Sequence, residues 1–131
     1  MHELSLCMNL IDQLTALAAR HQAMAVARIE LQVGTLSGVE PLLLEDAFPM
    51  ASAGSIAEKA VLAIEIIAPR IRCRHCHLEA QTEPNRLVCA SCGSLDTELL
   101  RGQDLILSRV ELVRDTTAPP SDESTEENHV H

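Results

Sequence analysis

"CRHCHLEAQTEPNRLVCASCG", residues 73–93, decides how the rest of the chain is parsed. It holds four of the five cysteines as two Cys-x2-Cys pairs, Cys73/Cys76 and Cys89/Cys92, with twelve residues between the pairs. Each pair turns two thiolates to one side of a tight loop. Two such knuckles close a tetrahedral sulfur cage, the arrangement that Zn(II) favours in structural sites. Gly93 relieves the second turn. A unit of about 30 residues cannot build its own core, so bound metal must supply its folding free energy. Disulfides or a redox dithiol fit poorly. A thioredoxin-type pair opens a helix after a strand, whereas both pairs here lie in polar, loop-like sequence. An iron site with the same ligands stays open. His75 and His77 flank Cys76 and could replace a thiolate, but four sulfurs already close a structural site, which leaves both as solvated loop residues.

On either side of this stretch the hydrophobic pattern is that of a small α+β domain. Leu4, Cys7, Ile11, Leu14, Ala18 and His21 recur at helical spacing over residues 4–21, with Leu10 and Leu17 widening the stripe. "VARIELQVG" (26–34) alternates, with Ile29, Leu31 and Val33 on one face of a half-buried strand closed by Gly34. In "TLSGVEPLLLEDAF" (35–48), Pro41 suits the first turn of a helix and places Glu40 near the N-cap. Leu43, Ala47 and Met50 would then face inward. Pro49 should kink or end that helix, leaving "ASAGS" as a turn. "AVLAIEIIAP" (60–69) reads as a second strand ended by Pro69. "QDLILSRVELV" (103–113) reads as a third, with Leu105, Leu107, Val110 and Leu112 on one face after one slip in register. The expected architecture is a small three-stranded sheet packed with two helices, residues 1–70 plus 102–114. A zinc-ribbon-like subdomain, residues 71–101, is inserted before the last strand. Cys7 and His21 have structural roles in this reading, Cys7 as a small core residue and His21 at the negative end of the first helix dipole.

Composition narrows the function. Phe48 is the only aromatic residue, so base-stacking modules that need exposed rings are excluded. The net charge of −9 has the wrong sign for a generic phosphate binder. Five of the 19 acidic side chains fall in the last 17 residues, "DTTAPPSDESTEENHVH", which have no core formers and read as a disordered acidic tail. His129 and His131 within it read as part of a solvated charge tail rather than an auxiliary metal sink. Arg70, Arg72, Arg74 and Arg86 against Glu79 and Glu83 would give the cysteine unit a locally positive face. The alternative function is therefore a zinc-ribbon adaptor for nucleic acid or an acidic protein partner. A metallohydrolase ranks last, because a four-thiolate cage leaves no open position for water. No stretch reaches the roughly 18 apolar residues of a membrane span, and no basic segment leads an apolar run as in a secretory signal. The odd cysteine count fits a cytoplasmic protein with reduced or metal-bound thiols.

The opening "MHELSL" (1–6) places a histidine at position 2. There the α-amino nitrogen, the intervening amide nitrogen and the imidazole can occupy adjacent positions around one ion. Amide ligation selects metals that accept tetragonal nitrogen fields, Ni(II) and Cu(II), over zinc, and Glu3 adds another backbone nitrogen or a carboxylate. The plainer reading makes His2 a polar residue before a helix, with Glu3 favourable to the helix dipole.

"MHELSL", "LQVGTLSGVEPLLLEDAF", "AEKAVLAIEI", the double Cys-x2-Cys and "GQDLILSRVEL" together resemble the HypA/HybF family of nickel metallochaperones for [NiFe]-hydrogenase maturation, over residues 1 to about 113. The resemblance implies a non-enzymatic carrier that binds transferable Ni(II) through His2, with Met1 and Glu3 as main-chain contributors. It associates with the site a carboxylate after the first strand, here Glu40, where some relatives have aspartate. It implies structural Zn(II) on Cys73, Cys76, Cys89 and Cys92. The implied partners are a HypB-type GTPase and the hydrogenase large subunit, with urease served by some members. Nucleic acid and membrane are not among them, and a homodimer is carried as one further assembly. Pro49 and the acidic tail depart from the family pattern.

Overall fold

The computed structural model describes residues 2–114 and 128–129. Helix α1 spans His2–Arg20, strand β1 Ala23–Gly34, helix α2 Pro41–Ser52 and strand β2 Val61–Ile67. Short strands β3 (Arg70–Cys73), β4 (Glu79–Gln81) and β5 (Thr97–Arg101) follow, then β6 (Leu105–Arg114) and the two-residue β7 (Asn128–His129). β2 lies parallel to β1, joined to it through α2, and β6 lies antiparallel on the other side, giving the order β2-β1-β6-β7. β3, β4 and β5 form a separate antiparallel sheet in the order β4-β3-β5.

The core is aliphatic, as the single aromatic demands. Leu10, Leu14 and Leu17 of α1 meet Ile29, Leu31 and Val33 of β1, Leu44 and Phe48 of α2, and Leu105, Leu107 and Val110 of β6. The break in the alternation of β6 is a bulge. Glu30 pairs with Arg109 and Leu31 with Leu107, so Ser108 is the extra residue, and its hydroxyl donates to the Glu30 carbonyl at 3.0 Å. Leu107 and Val110 thereby both reach the core.

Three expectations need correction. Helix α2 runs through Pro49 to Ser52. The carbonyl that proline leaves without a helical donor belongs to Glu45, an exposed residue where water can serve it. The inward face of α2 is Leu44, Ala47 and Phe48, while Leu43 and Met50 are exposed. With Pro41 as the first helical residue, the buried stripe starts one position later than expected. Asn128–His129, assigned by composition to a disordered tail, pair with Leu107 and Ile106 as a fourth strand. The rest of the 115–131 expectation lies outside the described residues, as does Met1.

The two sheets meet where three backbone segments cross. The Gly34 N–H donates to the Asp104 carbonyl at 2.9 Å and the Leu36 N–H to the Gly102 carbonyl at 2.7 Å. A Cβ on Gly34 would lie 2.3 Å from the Gly102 oxygen, and Gly102 itself sits at φ 104° against Pro69. Glycine is required at both positions to let the chain leave the first sheet and return to it.

Candidate metal sites

The two knuckles fold alike. In the first, the Cys73 N–H donates to Leu78 O, His77 N–H to Cys73 O, and Cys76 N–H to Cys73 Sγ. In the second, Cys89 N–H donates to Ser94 O, Gly93 N–H to Cys89 O, and Cys92 N–H to Cys89 Sγ. The fourth residue after the leading cysteine must turn left-handed, and His77 (φ 62°) and Gly93 (φ 74°) do so. Strand β3 carries Cys73 at its end, held between β4 and β5 by the buried Ile71.

The knuckles bring all four sulfurs within 4.8 Å of one another. Sulfurs of different knuckles meet closely, Cys73 to Cys92 at 3.6 Å and Cys76 to Cys89 at 3.5 Å. A tetrahedral ion with metal–sulfur bonds of about 2.3 Å has sulfur–sulfur edges of about 3.8 Å. The cage therefore fits such an ion, and these separations are far beyond a disulfide bond of about 2.05 Å. Cys73 and Cys89 are buried, Cys76 and Cys92 exposed.

The sulfurs do not ionise alike. The Cys92 N–H, with the Ser91 N–H and two neighbouring thiols assisting, draws the Cys89 thiol down to about 6. The Cys76 and His75 N–H groups likewise lower Cys73. Cys92 has the Ser94 N–H in its favour, but sharing with Cys73 and Cys89 pushes it up to about 11. Cys76 is raised in the same way, through Cys89 and against the Leu78 N–H. The leading cysteine of each knuckle is thus made the more acidic of its pair, and a bound cation would draw off the remaining protons.

Neither flanking histidine joins the cage. His75 turns its Nε2 to Asp96, 3.8 Å away, and His77 is exposed. The expected positive face is also reduced by ion pairs with Glu79 and with two acids, Asp96 and Glu98, that lie outside the sequence count. Arg72 meets Glu79 at 3.2 Å and Glu98 at 3.6 Å, and Arg74 meets Asp96 at 3.4 Å.

At the other end of the fold, contacts link α1 and α2 with the same sequence offset at two levels. The Glu40 N–H donates to Glu3 Oε2 at 3.4 Å, and one turn on, the Cys7 thiol donates to the Leu44 carbonyl at 3.6 Å. The two helix N-termini therefore lie side by side, each with a carboxylate against its positive end. The Glu40 carboxylate caps α2 by accepting from the Leu42 N–H at 3.5 Å. The Glu3 carboxylate is only 11% exposed and also lies 3.5 Å from His2 Nδ1, while the His2 side chain is 62% exposed. Its own N–H and that of Glu40, with His2 alongside, hold Glu3 below its ordinary value of 4.5 against the opposing effect of burial. The structure thus brings His2, Glu3 and Glu40 together, with Glu3 as the link. The sequence allows Glu3 a main-chain nitrogen or a carboxylate for the ion, but it gives no signal for the contact with the Glu40 N–H.

Cys7 is buried, and burial followed by the nearby Glu3 charge pushes its thiol up to about 11, so it is core rather than ligand. At the far end of α1, Arg114 donates to His21 Nδ1 at 3.4 Å, a tie between α1 and β6. Among the described residues, no second group of three or more His, Cys, Asp or Glu side chains gathers as the cysteines do.

Known proteins share this layout. A family profile described as "Hydrogenase/urease nickel incorporation, metallochaperone, hypA" matches residues 1–112. The hydrogenase maturation factor HypA of Nitrosospira multiformis is 42% identical over 113 residues, covering 86% of this chain and 98% of that protein. The HypA of Aquifex aeolicus is 40% identical over 112 residues, covering 86% and 97%. The solution structure of the Ni metallochaperone HypA from Helicobacter pylori superposes with a TM-score of 0.66 at 23% identity, over 86% of this chain and 98% of that one. A second HypA solution structure gives 0.67 at 25% identity, over 88% and 98%. With a match spanning the α+β base, both knuckles and the terminal His2-Glu3 pair, the chain belongs to the HypA family of nickel metallochaperones for hydrogenase maturation, whose members are maturation factors rather than catalysts.

Proposed function

We propose that this protein carries Ni(II) at its amino terminus and hands it, in the cytoplasm, to the hydrogenase large subunit, with a HypB-type GTPase as its working partner. In this reading His2 supplies the imidazole, Met1 and Glu3 supply main-chain nitrogens, and Zn(II) stays on Cys73, Cys76, Cys89 and Cys92. The observation that carries it is the placement of His2. Its imidazole stands in solvent at the first residue of α1, while the neighbouring Glu3 carboxylate anchors that residue to α2. A side chain free to exchange, on a backbone that is held, suits an ion that is taken up and passed on. Glu40 serves this site indirectly, through its main-chain bond to Glu3 and its cap on α2.

Nickel titration of three proteins tests the reading: the native chain, His2→Ala, and a chain with a few residues added before Met1. The last keeps His2 but turns the amine into a peptide amide, which is far harder to deprotonate. Binding should fall about equally in both variants, with zinc and fold intact, and acid should release the ion, because both nitrogens must be unprotonated to ligate. The measurement belongs on a chain ending before Asp115, so that His129 and His131 cannot serve as decoys. Tight binding by the extended protein would remove the amine from the site.

A further inference from the structure

Where the cysteine unit joins the base, a cavity of about 230 Å³ opens between β2 and the β4-β3-β5 sheet, lined in part by Ile66, Ile67, Arg70, Gln81 and Arg101. The three polar side chains from the small sheet form one row. In the register Arg70 of β3 lies opposite both Gln81 of β4 and Arg101 of β5. Two arginines directly opposite across a strand pair repel one another unless something negative lies between them. Among the described residues nothing does so adequately. The Arg101 guanidinium has no ion-pair or hydrogen-bond partner among the described residues, and Arg70 reaches only Glu79, at 3.9 Å. Glu65, which also lines the cavity, is held by Gln32 Nε2 at 3.3 Å on the base side. The neighbouring Arg72, by contrast, is matched by a glutamate on each flanking strand.

We propose that Arg70, Arg101 and Gln81 form a binding site for a small oxyanion, a phosphate or a carboxylate group. Two guanidinium forks facing one cavity can each donate two parallel hydrogen bonds to such a group, with the Gln81 amide adding a donor. The position gives binding a structural consequence. Arg70 immediately follows Pro69, where the chain leaves the base, and Arg101 immediately precedes Gly102, where it returns. An anion held by both clamps the two crossover segments and so fixes the cysteine unit against the base. The site is separate from both metal sites and independent of the nickel reading.

The test is an amide and guanidinium NMR titration of the full zinc-loaded chain, with sodium phosphate in one arm and sodium glutarate in another, each against sodium chloride at matched ionic strength. The expected result is saturable shifts of the Arg70 and Arg101 Nε–H and Gln81 amide signals. Saturation by phosphate alone assigns a phosphate group, and saturation by glutarate alone assigns a carboxylate. Arg101→Gln should weaken that binding by about tenfold or more. Without added anion it should melt no lower than the native chain, because it removes a like-charge pair. Arg70→Gln is the second variant should Arg101→Gln fail to fold. Shifts that do not saturate in either arm, or that spread equally to Arg109 and Arg114, would overturn the proposal. So would an unchanged affinity in both variants.

Discussion

All four cage sulfurs lie within 4.8 Å of one another, two of them buried, whereas the His2 imidazole stands in solvent with a single carboxylate beside it. The two regions are built from different material. The cage takes every ligand from side chains of two knuckles that N–H groups to sulfur have already shaped. The terminus offers one exposed imidazole and a backbone pinned by Glu3. An ion leaving the cage must part from four thiolates that hold its unit together. An ion bound at the terminus, as proposed, would detach from groups that are held in place without it. In the proposed reading, the number of side-chain ligands and their coupling to folding would separate an ion that is kept from one that is carried.

The sharpest way to break this contrast is Cys76→Ser. Structural zinc contributes on the order of 10–16 kcal/mol in small metal-dependent units, far more than the short β3, β4 and β5 strands can replace. The variant should lose its zinc, and residues 71–101 should lose NMR dispersion, while the α1, β1, α2, β2 and β6 base stays folded and still binds nickel at the terminus. A full zinc equivalent in that variant, counted by mass spectrometry, would show that the cage tolerates three sulfurs and that a histidine completes it.

The same contrast explains what could be read from the sequence. The cage was legible because its ligands are close in sequence and chemically rare, and β1 and β6 because each is ten or more residues long and largely alternates. Even the bulge at Ser108 left a trace as a slip in the pattern. The four-residue β3 has no alternation to read, and its partners begin at Glu79 and Thr97, so the second sheet was invisible. The stripe of α2 was misplaced by one because Leu42, Leu43 and Leu44 are chemically equivalent, and only packing selects Leu44. The Glu3 latch was missed because its partner is a main-chain N–H 37 residues away, which no side-chain pattern encodes. The acids that answer Arg72 and Arg74 come partly from β5 and the turn before it, beyond the stretch that suggested a positive face.

A smaller effect sharpens the terminal side. Glu40→Ala removes the carboxylate that caps α2 but leaves the Glu40 N–H free to hold Glu3. Thermal melts without nickel should show a loss of about 1 kcal/mol, the usual cost of losing a capping side chain. Nickel affinity should fall only modestly and zinc content should not change. A loss of nickel as complete as in His2→Ala would make the Glu40 carboxylate a ligand in its own right, and the terminus would then resemble the cage more than it does here.

The smallest effect returns to the cage, and its sign decides a role. His77 occupies with φ 62° the position that Gly93 fills with φ 74° in the other knuckle, and each donates its N–H to the leading cysteine carbonyl. A left-handed residue with a Cβ costs roughly 1 kcal/mol relative to glycine, partly offset because glycine gives up more freedom on folding. His77→Gly should therefore stabilise the zinc-loaded protein by about 0.5 kcal/mol, with the metal count unchanged. If the imidazole ever closes the cage in place of a thiolate, the same change must cost both metal and stability. Zinc-release kinetics against a chelator read the difference. A release rate equal to or slower than that of the native chain leaves four sulfurs as the whole ligand set, and a faster one adds His77 to it.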